Sequence, residues 1–373
     1  MKTKTKFPSP KAENFYAELR KRVNLDFAER AISIHANRQM WLKGTLFISL
    51  FFAIYFAVIF SGANLLTLAL LAILLGIVCA FIGFNICHDA IHGSFSSSKK
   101  VNSALSMIFH LVGANPYVWN ITHNIVHHTY TNISGHDEDI DIAPGLIRIC
   151  NEEALHPHQR FQQWYAFPLY GLASLSWVFR KDYKKFFQKR IGARENIHPG
   201  IEYFNLFFFK ALYYFLFIAL PIILMDIARW QVVIGFILLH LGQGITMGLV
   251  FQLAHVVELT AFPLPDATGN MEEAWAEHQM RTTANFSTNS SVASFFLGGL
   301  NMQIEHHLFP KISHVHYRHI SQIVRQTAKD YNIAYNENQT FMSALQSHFR
   351  MLKTMGAPVN SSMVNKIALV PLK

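Results

Sequence analysis

The sequence has little charge and little cysteine. Asp, Glu, Lys and Arg make up only 15% of its 373 residues, whereas 51% are hydrophobic, and soluble globular proteins rarely show this balance. The three cysteines, Cys79, Cys87 and Cys150, have no CxxC spacing. This argues against an iron–sulfur cluster and a disulfide framework, and predicts reduced thiols that serve in packing. No cleavable signal peptide is predicted, because the first apolar run follows a long charged segment.

Long apolar runs are present instead, and they come in two pairs. The runs at 45–60 and 65–86 are separated by a short turn at 61–64, and those at 203–225 and 231–253 by a turn at 226–230. Each run is close to the roughly 20 residues that cross a bilayer core. We therefore predict an all-α integral membrane protein with four transmembrane helices in two hairpins. Shorter apolar patches at 105–114 and 164–179 are predicted to be interfacial or re-entrant.

The formal net charge of +9 is unevenly distributed. Lys and Arg concentrate outside the two short turns, so the positive-inside rule predicts that both termini are cytoplasmic. The excess suits anionic lipid head groups, and no pattern favours nucleic acid. We divide the chain into a basic N-terminal segment (1–44), a membrane domain (45–325) and a cytoplasmic C-terminal tail (326–373). An amphipathic helix on the membrane surface is predicted within the first segment, from residue 13 onward.

Three polar clusters at helical spacing interrupt this apolar background. In the first and second, pairs of histidines four residues apart share a helix face, and in the third a glutamine lies one turn before a histidine pair. The clusters are His88 and His92; His123, His127 and His128; and Gln303, His306 and His307. All three are predicted on the cytoplasmic side, in a helical cap, and His255 lies at the cytoplasmic end of the fourth run.

This set of side chains predicts metal chemistry. Imidazole is a good ligand for iron, zinc, copper and nickel. One ion uses four to six ligands, so eight histidines, with Gln303 acting directly or through water, suit two metals in one pocket. Asp89, Glu305 and the acids around Asp139 are predicted to orient the imidazoles.

The order HxxxH, HxxxHH, QxxHH, with apolar hairpins between the clusters, resembles the membrane fatty acid desaturase family. The run NMQIEHHLFP at 301–310 is close to that family's third histidine box, and the resemblance covers about residues 45–325. It implies two iron ions held by the eight histidines, activation of oxygen, and removal of two hydrogens from an acyl chain. Gln303 in place of a histidine is typical of the front-end branch, which desaturates between an existing double bond and the carboxyl end.

The sequence departs from many front-end members at His198-Pro199-Gly200-Ile201, which breaks the HPGG heme motif of a fused cytochrome b5 domain. The resemblance therefore implies that electrons come from a separate protein, a ferredoxin or a cytochrome b5 with its reductase. The resemblance also implies that the substrate is a fatty acyl group, as a CoA ester or a glycerolipid. Large apolar residues near the boxes are predicted to line a tunnel for it. They are Phe84, Trp119, Phe295 and Phe296.

Alternative interpretations remain open. A hydroxylase or ketolase of the same histidine-box superfamily uses a similar centre. A membrane metal transporter predicts ligands in the middle of the spans, and a heme carrier predicts histidine pairs on facing spans. Other histidines are assigned structural or surface roles, among them His240, His314, His316 and His319. The basic run at 180–194 is predicted to be a solvated or lipid-facing surface.

Overall fold

The structure, a computed structural model, describes residues 5–9, 14–140, 143–191 and 194–358 and is mostly helical. The α-helices before residue 200 are α1 (Phe15–Glu29), α2 (Arg38–Phe60), α3 (Leu65–Ile82), α4 (His88–His92), α5 (Lys99–Met107), α6 (Pro116–Trp119), α7 (His128–Tyr130), α8 (Gln162–Gly171), α9 (Ala173–Ser176) and α10 (Asp182–Phe187). Those after it are α11 (Gly200–Tyr214), α12 (Leu220–Leu224), α13 (Arg229–His255), α14 (Trp275–Thr282), α15 (Ser291–Phe296), α16 (Gln303–Leu308), α17 (Tyr317–Asp330) and α18 (Phe341–Met355).

Short elements complete the described chain. Strands β1 (Arg190–Ile191) and β2 (Arg194–Glu195) pair antiparallel, and β3 (Asn285–Phe286) and β4 (Glu337–Asn338) pair in parallel. The 3-10 turns are Ile108–His110, Pro157–Phe161 and His314–His316. The π-helical segments are Gly83–Cys87, Asn120–His127, Trp177–Lys181 and Phe215–Ala219.

Four helices in the described ranges are long and apolar enough to cross a membrane, as predicted. They are Arg38–Phe60, Leu65–His92, Gly200–Leu224 and Arg229–His255, and we number these candidate spans one to four. Asn37 and Asn64 cap the first two by accepting hydrogen bonds from backbone N–H groups with their side-chain oxygens, as preferred N-cap residues do. Between those spans Gly62 has φ +61°, a left-handed conformation that glycine adopts without strain.

The helices extend beyond the apolar runs at the ends that carry histidines. Span two continues through the π-helical segment Gly83–Cys87 into α4, so His88 and His92 belong to the same continuous helix. Span four ends at His255 itself. The first and third clusters differ in this respect, because α16 is a separate short helix outside the spans. Rigid helices therefore hold the first cluster and His255.

Spans two and four are in close contact through small residues. A Cβ placed on Gly76 would lie 1.9 Å from the backbone oxygen of Leu239, and one on Gly242 would lie 2.6 Å from the oxygen of Ile73. Small residues permit such close approach of helix backbones in membranes. Because span two carries the first box and span four carries His255, this contact sets the distance between the two.

The Gly76→Ala variant is expected to be clearly less stable than the parent. Its new methyl group must separate the two backbones, and overpacking of this kind costs about 1–3 kcal/mol or more. A lower apparent melting temperature, followed by size-exclusion chromatography in detergent after heating, would show it. Gly235→Ala is the matched control, since nothing lies within 4 Å of a Cβ at that position of span four. Equal melting temperatures for the two variants would contradict the tight contact.

The N-terminal helix is amphipathic as predicted, but its apolar face contacts protein rather than lipid. Phe15, Leu19 and Val23 of α1 are buried in one cluster with Ile320 and Val324 of α17. The apolar face of α1 is thus buried against α17, whereas the periodicity alone predicted that this face lies on the membrane surface. The N-terminal segment and the helix after the third box are consequently joined.

The burial and contacts of the side chains bear on two further predictions from the sequence. The three cysteines are buried and free, as predicted. The basic run at 180–194 is only partly a solvated surface, because the Lys181 ammonium lies 3.6 Å from the Asp139 carboxylate and the buried Lys185 pairs with Glu138. Local composition could not show this, since the acidic partners lie about forty residues earlier in the chain.

Candidate metal centre

The second cluster is carried by an unusual helix. The segment Asn120–His127 is π-helical and runs into α7 at His128, whereas its spacing predicted an ordinary α-helix. The wider π turn places both His127 and His128 beside His123, with ring centres 4.9 and 4.8 Å away. Single π turns are frequent at functional sites, and here one turn presents three imidazoles in one direction.

The structure brings all eight predicted histidines together. Their ring nitrogens form overlapping groups in which every atom lies within 4.8 Å of the others. The groups are His88, His92, His123 and His306; His127, His255 and His307; and His128, His306 and His307. The first and second groups share no residue, and the third joins them. This is the arrangement that two adjacent metal ions require.

The histidines are oriented from outside the cluster. The Nδ1 atom of His127 lies 2.8 Å from Asp137 Oδ2, and that of His123 lies 3.2 Å from Asp139 Oδ2. His307 Nδ1 lies 2.7 Å from the Gln279 side-chain oxygen. Carboxylate and amide oxygens only accept hydrogen bonds, so each Nδ1 carries the proton and each Nε2 keeps its lone pair. Metal-binding histidines are typically held in this way.

The inward nitrogens are left without partners. The Nε2 atoms of His92, His127, His306 and His307 are buried and have no hydrogen-bond partner in the described part of the chain. An unsatisfied buried polar group costs about 1–3 kcal/mol, so four of them in one place are costly for a purely structural cluster. Metal ligation removes that cost, and the side chains present therefore fit a metal centre.

The protonation state of the histidines also fits a metal centre. Burial, reinforced by neighbouring histidines, holds the pKa of His123, His128, His306 and His307 well below its usual value. These imidazoles are therefore neutral at physiological pH, as metal ligands must be. His127 differs, because Asp137 outweighs burial and raises its pKa.

Only some of the acidic residues that were predicted to orient the imidazoles do so. Asp137 and Asp139 contact box histidines as expected, while Asp141 lies outside the described residues. Glu305 does not orient an imidazole: its carboxylate accepts hydrogen bonds from Tyr335 and Asn285, both at 2.7 Å. Burial raises the pKa of Glu305 to about 7. Its neighbours in the chain are ligand candidates, but its side chain points to the other face of α16, a direction that sequence order does not reveal.

Two contributors to the centre were not predicted. Gln279 of α14 contacts His307, and the Tyr317 hydroxyl lies 3.2 Å from His306 Nδ1. Neither belongs to a recognisable motif, and no signal in the sequence identifies them. Gln303, which was predicted, is buried beside His255, and its side-chain oxygen has no hydrogen-bond partner among the described residues.

A cavity that is partly open to solvent reaches the histidine cluster. Its lining includes Trp119, Trp177 and Phe251 together with His123. Of the predicted tunnel residues, Trp119 lines this cavity. The other three pack against aromatic neighbours. The distances between ring centres are 6.1 Å for Phe84 and Phe251, 5.8 Å for Phe295 and Phe47, and 5.0 Å for Phe296 and Phe81.

The remaining histidines mostly have structural partners. His240 lies within span four and its ring contacts Ser174 and Tyr213, which confirms the predicted structural role. His316 contacts the backbone oxygen of His35, and His319 contacts Asp26. These contacts all lie outside the histidine cluster.

Known proteins resemble this chain over most of its length. Residues 63–339 match the fatty acid desaturase family. The sn-1 linoleoyl-lipid 6-desaturase of Synechocystis is 35% identical over 346 residues, which cover 92% of this chain and 95% of that protein. The enzyme of the same name from Arthrospira platensis is 31% identical, with 98% and 99% covered. An acyl-lipid (8-3)-desaturase of Physcomitrium patens is 32% identical, with 92% and 72% covered. The chain is therefore an enzyme of the fatty acid desaturase family, an oxidoreductase of lipid metabolism.

Proposed function

We propose that this protein is an oxygen-dependent acyl desaturase with two iron ions held by His88, His92, His123, His127, His128, His255, His306 and His307. The convergence of these eight side chains into two joined groups of nitrogens carries the proposal. Gln303, one turn before the histidine pair of α16, completes the set directly or through water. The overlap of the groups favours two ions in one pocket over two independent sites.

The reaction removes one hydrogen from each of two adjacent methylene groups. The acyl chain gives up two electrons with these hydrogens, a donor protein supplies two more, and with two protons O₂ is reduced to two waters. Bound iron supplies the activation of oxygen that an unactivated C–H bond requires. The protein's own side chains orient the imidazoles, keep them neutral and place the acyl chain. Trp119, stacked 4.0 Å from His123 and lining the cavity, is well located to hold the chain against the centre.

We infer that the substrate is an acyl group of a membrane glycerolipid that already carries a double bond. The named activities of the relatives from Synechocystis and Physcomitrium patens, both acyl-lipid desaturases, support this over a CoA ester. Gln303 supports front-end regiochemistry, with the new double bond toward the carboxyl end. The apolar side chains in the cavity lining, Trp119, Trp177 and Phe251, suit contact with an acyl chain.

We further propose that the four spans form two membrane hairpins with both termini and a helical cap on the cytoplasmic side. The distribution of Lys and Arg supports this orientation. The positions of His88 and His92 at the end of span two and of His255 at the end of span four support a shared side for these residues. Electrons are then supplied by a ferredoxin or a cytochrome b5. Exposed basic residues outside the spans, such as Arg180, Lys184 and Lys189, suit an acidic donor.

Expression in a host supplied with mono- and di-unsaturated fatty acids tests the function. We expect a new cis double bond between the existing one and the carboxyl end, found by mass spectrometry in glycerolipids before it appears in the acyl-CoA pool. An empty vector is the control. A hydroxylated or oxidised chain would instead identify the hydroxylase or ketolase alternative, which uses the same centre. Unchanged lipids, with zinc or heme in the purified protein, would refute the proposal.

A further inference from the structure

Span one contains a lysine that its apolar surroundings do not explain. Lys43 is buried, and a charged side chain within a span is costly unless it has a partner. Its ammonium lies 2.8 Å from His314 Nε2 and 3.4 Å from the backbone oxygen of Phe295. Ammonium groups only donate hydrogen bonds, so His314 Nε2 accepts and His314 Nδ1 carries the proton.

The other side of His314 faces Asp89, which directly follows a predicted metal ligand. His314 Nδ1 lies 3.0 Å from Asp89 Oδ2. The same oxygen accepts hydrogen bonds from the Ser313 hydroxyl at 2.8 Å and from the His314 backbone N–H at 3.2 Å. Asp89 is fully buried, and a buried carboxylate requires such donors and a nearby positive charge. Ser313, His314 and Lys43 supply both.

The second oxygen of Asp89 faces the histidine cluster. Asp89 Oδ1 lies 3.8 Å from His88 Nδ1, and His88 belongs to the first group of metal-ligand candidates. Short polar contacts therefore connect Lys43 of span one, His314 beyond the third box and Asp89 of the first box. The Asp89 carboxylate lies beside His88 at a distance that is too long for a hydrogen bond but short enough for electrostatic attraction. None of Lys43, His314 and Asp89 belongs to a group of candidate ligands in the described residues.

We propose that Lys43 and His314 are positioning residues for the metal centre. They hold the Asp89 carboxylate, whose negative charge 3.8 Å from His88 Nδ1 favours a proton on that nitrogen and leaves Nε2 free for a metal. The inference rests on the proposed metal centre. In it, the first group of candidate ligands is positioned by residues from span one, from the first box and from the segment after the third box. Outer partners of this kind typically change metal affinity 10–100-fold when they are removed.

Cobalt binding to the purified full-length protein tests the proposal. After removal of bound metal with a chelator, Co²⁺ is titrated in detergent and followed by visible absorption and by metal analysis. We expect the parent to bind two Co²⁺ ions per chain. In Lys43→Met and in His314→Gln, one ion should bind as in the parent and the other about tenfold or more weakly, because only the first group depends on Asp89.

Two further variants separate positioning from general damage. Lys43→Arg keeps the positive charge and should restore most of the affinity. His319→Gln changes a nearby histidine whose partner is Asp26, and both Co²⁺ ions should bind normally. If Lys43→Met does not fold, His314→Gln decides the question. Parental affinity for both ions in His314→Gln would overturn the inference, and equal weakening of both would do the same. A parent protein that binds no Co²⁺ would instead overturn the proposed metal centre.

Discussion

The His307→Ala variant is expected to fold and to make no detectable desaturated product. His307 belongs to two of the three groups of candidate ligands, with its ring centre 4.4 Å from that of His128 and 5.0 Å from that of His255. Its loss therefore removes a candidate ligand from the second group and from the third group, which joins the second group to the first. We expect activity to fall more than about 100-fold, beyond the 10–100-fold effect of losing an outer partner.

Two measurements on one preparation check this result. Iron analysis should show fewer than two ions per chain, and mass spectrometry of the host lipids should show no new double bond. The Gln279 side-chain oxygen that contacts His307 still accepts a hydrogen bond from the Thr131 hydroxyl at 2.8 Å in the variant, and no buried charge is left unpaired, so a large loss of stability is not expected. His158→Ala changes an exposed histidine that belongs to none of the groups of candidate ligands and should retain full activity. Normal iron and product in His307→Ala would exclude it as a ligand.

The Asp137→Asn variant is expected to keep its shape and lose most of its activity. Asp137 Oδ2 lies 2.8 Å from His127 Nδ1 and accepts a hydrogen bond from the Asn132 backbone N–H at 3.0 Å. Burial raises the pKa of Asp137, but His127 and this N–H outweigh it, so the pKa lies below its usual value. The carboxylate is thus ionised at neutral pH and fixes the His127 tautomer. The asparagine amide carries no negative charge and can present either its oxygen or its NH2 group to His127. The tautomer is then no longer enforced by charge, and we expect a 10–100-fold loss of metal affinity and activity.

The neighbouring acid provides the matched control for Asp137. Glu138→Gln makes the same change of charge one residue away, where the side chain contacts Lys185 instead of an imidazole. We expect this variant to bind metal normally. If both variants lose affinity equally, the effect comes from the charge of the segment and not from orientation of His127. Melting temperatures of the two proteins show whether either change unfolds the chain.

Local patterns predicted the parts of this enzyme that depend on local physics. A run of about 20 apolar residues must be helical in a bilayer, because no water satisfies its backbone, and four such helices are present. Histidines at helical spacing share a face whatever surrounds them. His255 could be proposed because it follows the fourth apolar run immediately. These arguments need no knowledge of which helices are neighbours.

Predictions about what a surface touches were less successful. The apolar face of α1 contacts α17 instead of lipid, and Lys185 is buried against Glu138 instead of being solvated. Glu305 follows the helical pattern of α16 but faces Tyr335 and Asn285. In each case the partner lies at least about twenty residues away in the sequence, so the periodicity of one element could not identify it.

The sequence by itself therefore determined the four long apolar helices, the three histidine boxes and the family to which their order belongs. Only the tertiary structure decided how those boxes meet: the π turn that turns three imidazoles inward, the contact at Gly76 that sets spans two and four together, and the placement of Gln279 and His314. The physical reason is that spacing along one helix specifies direction, whereas metal ligation requires distances between helices. Those distances depend on packing among residues that are far apart in the chain.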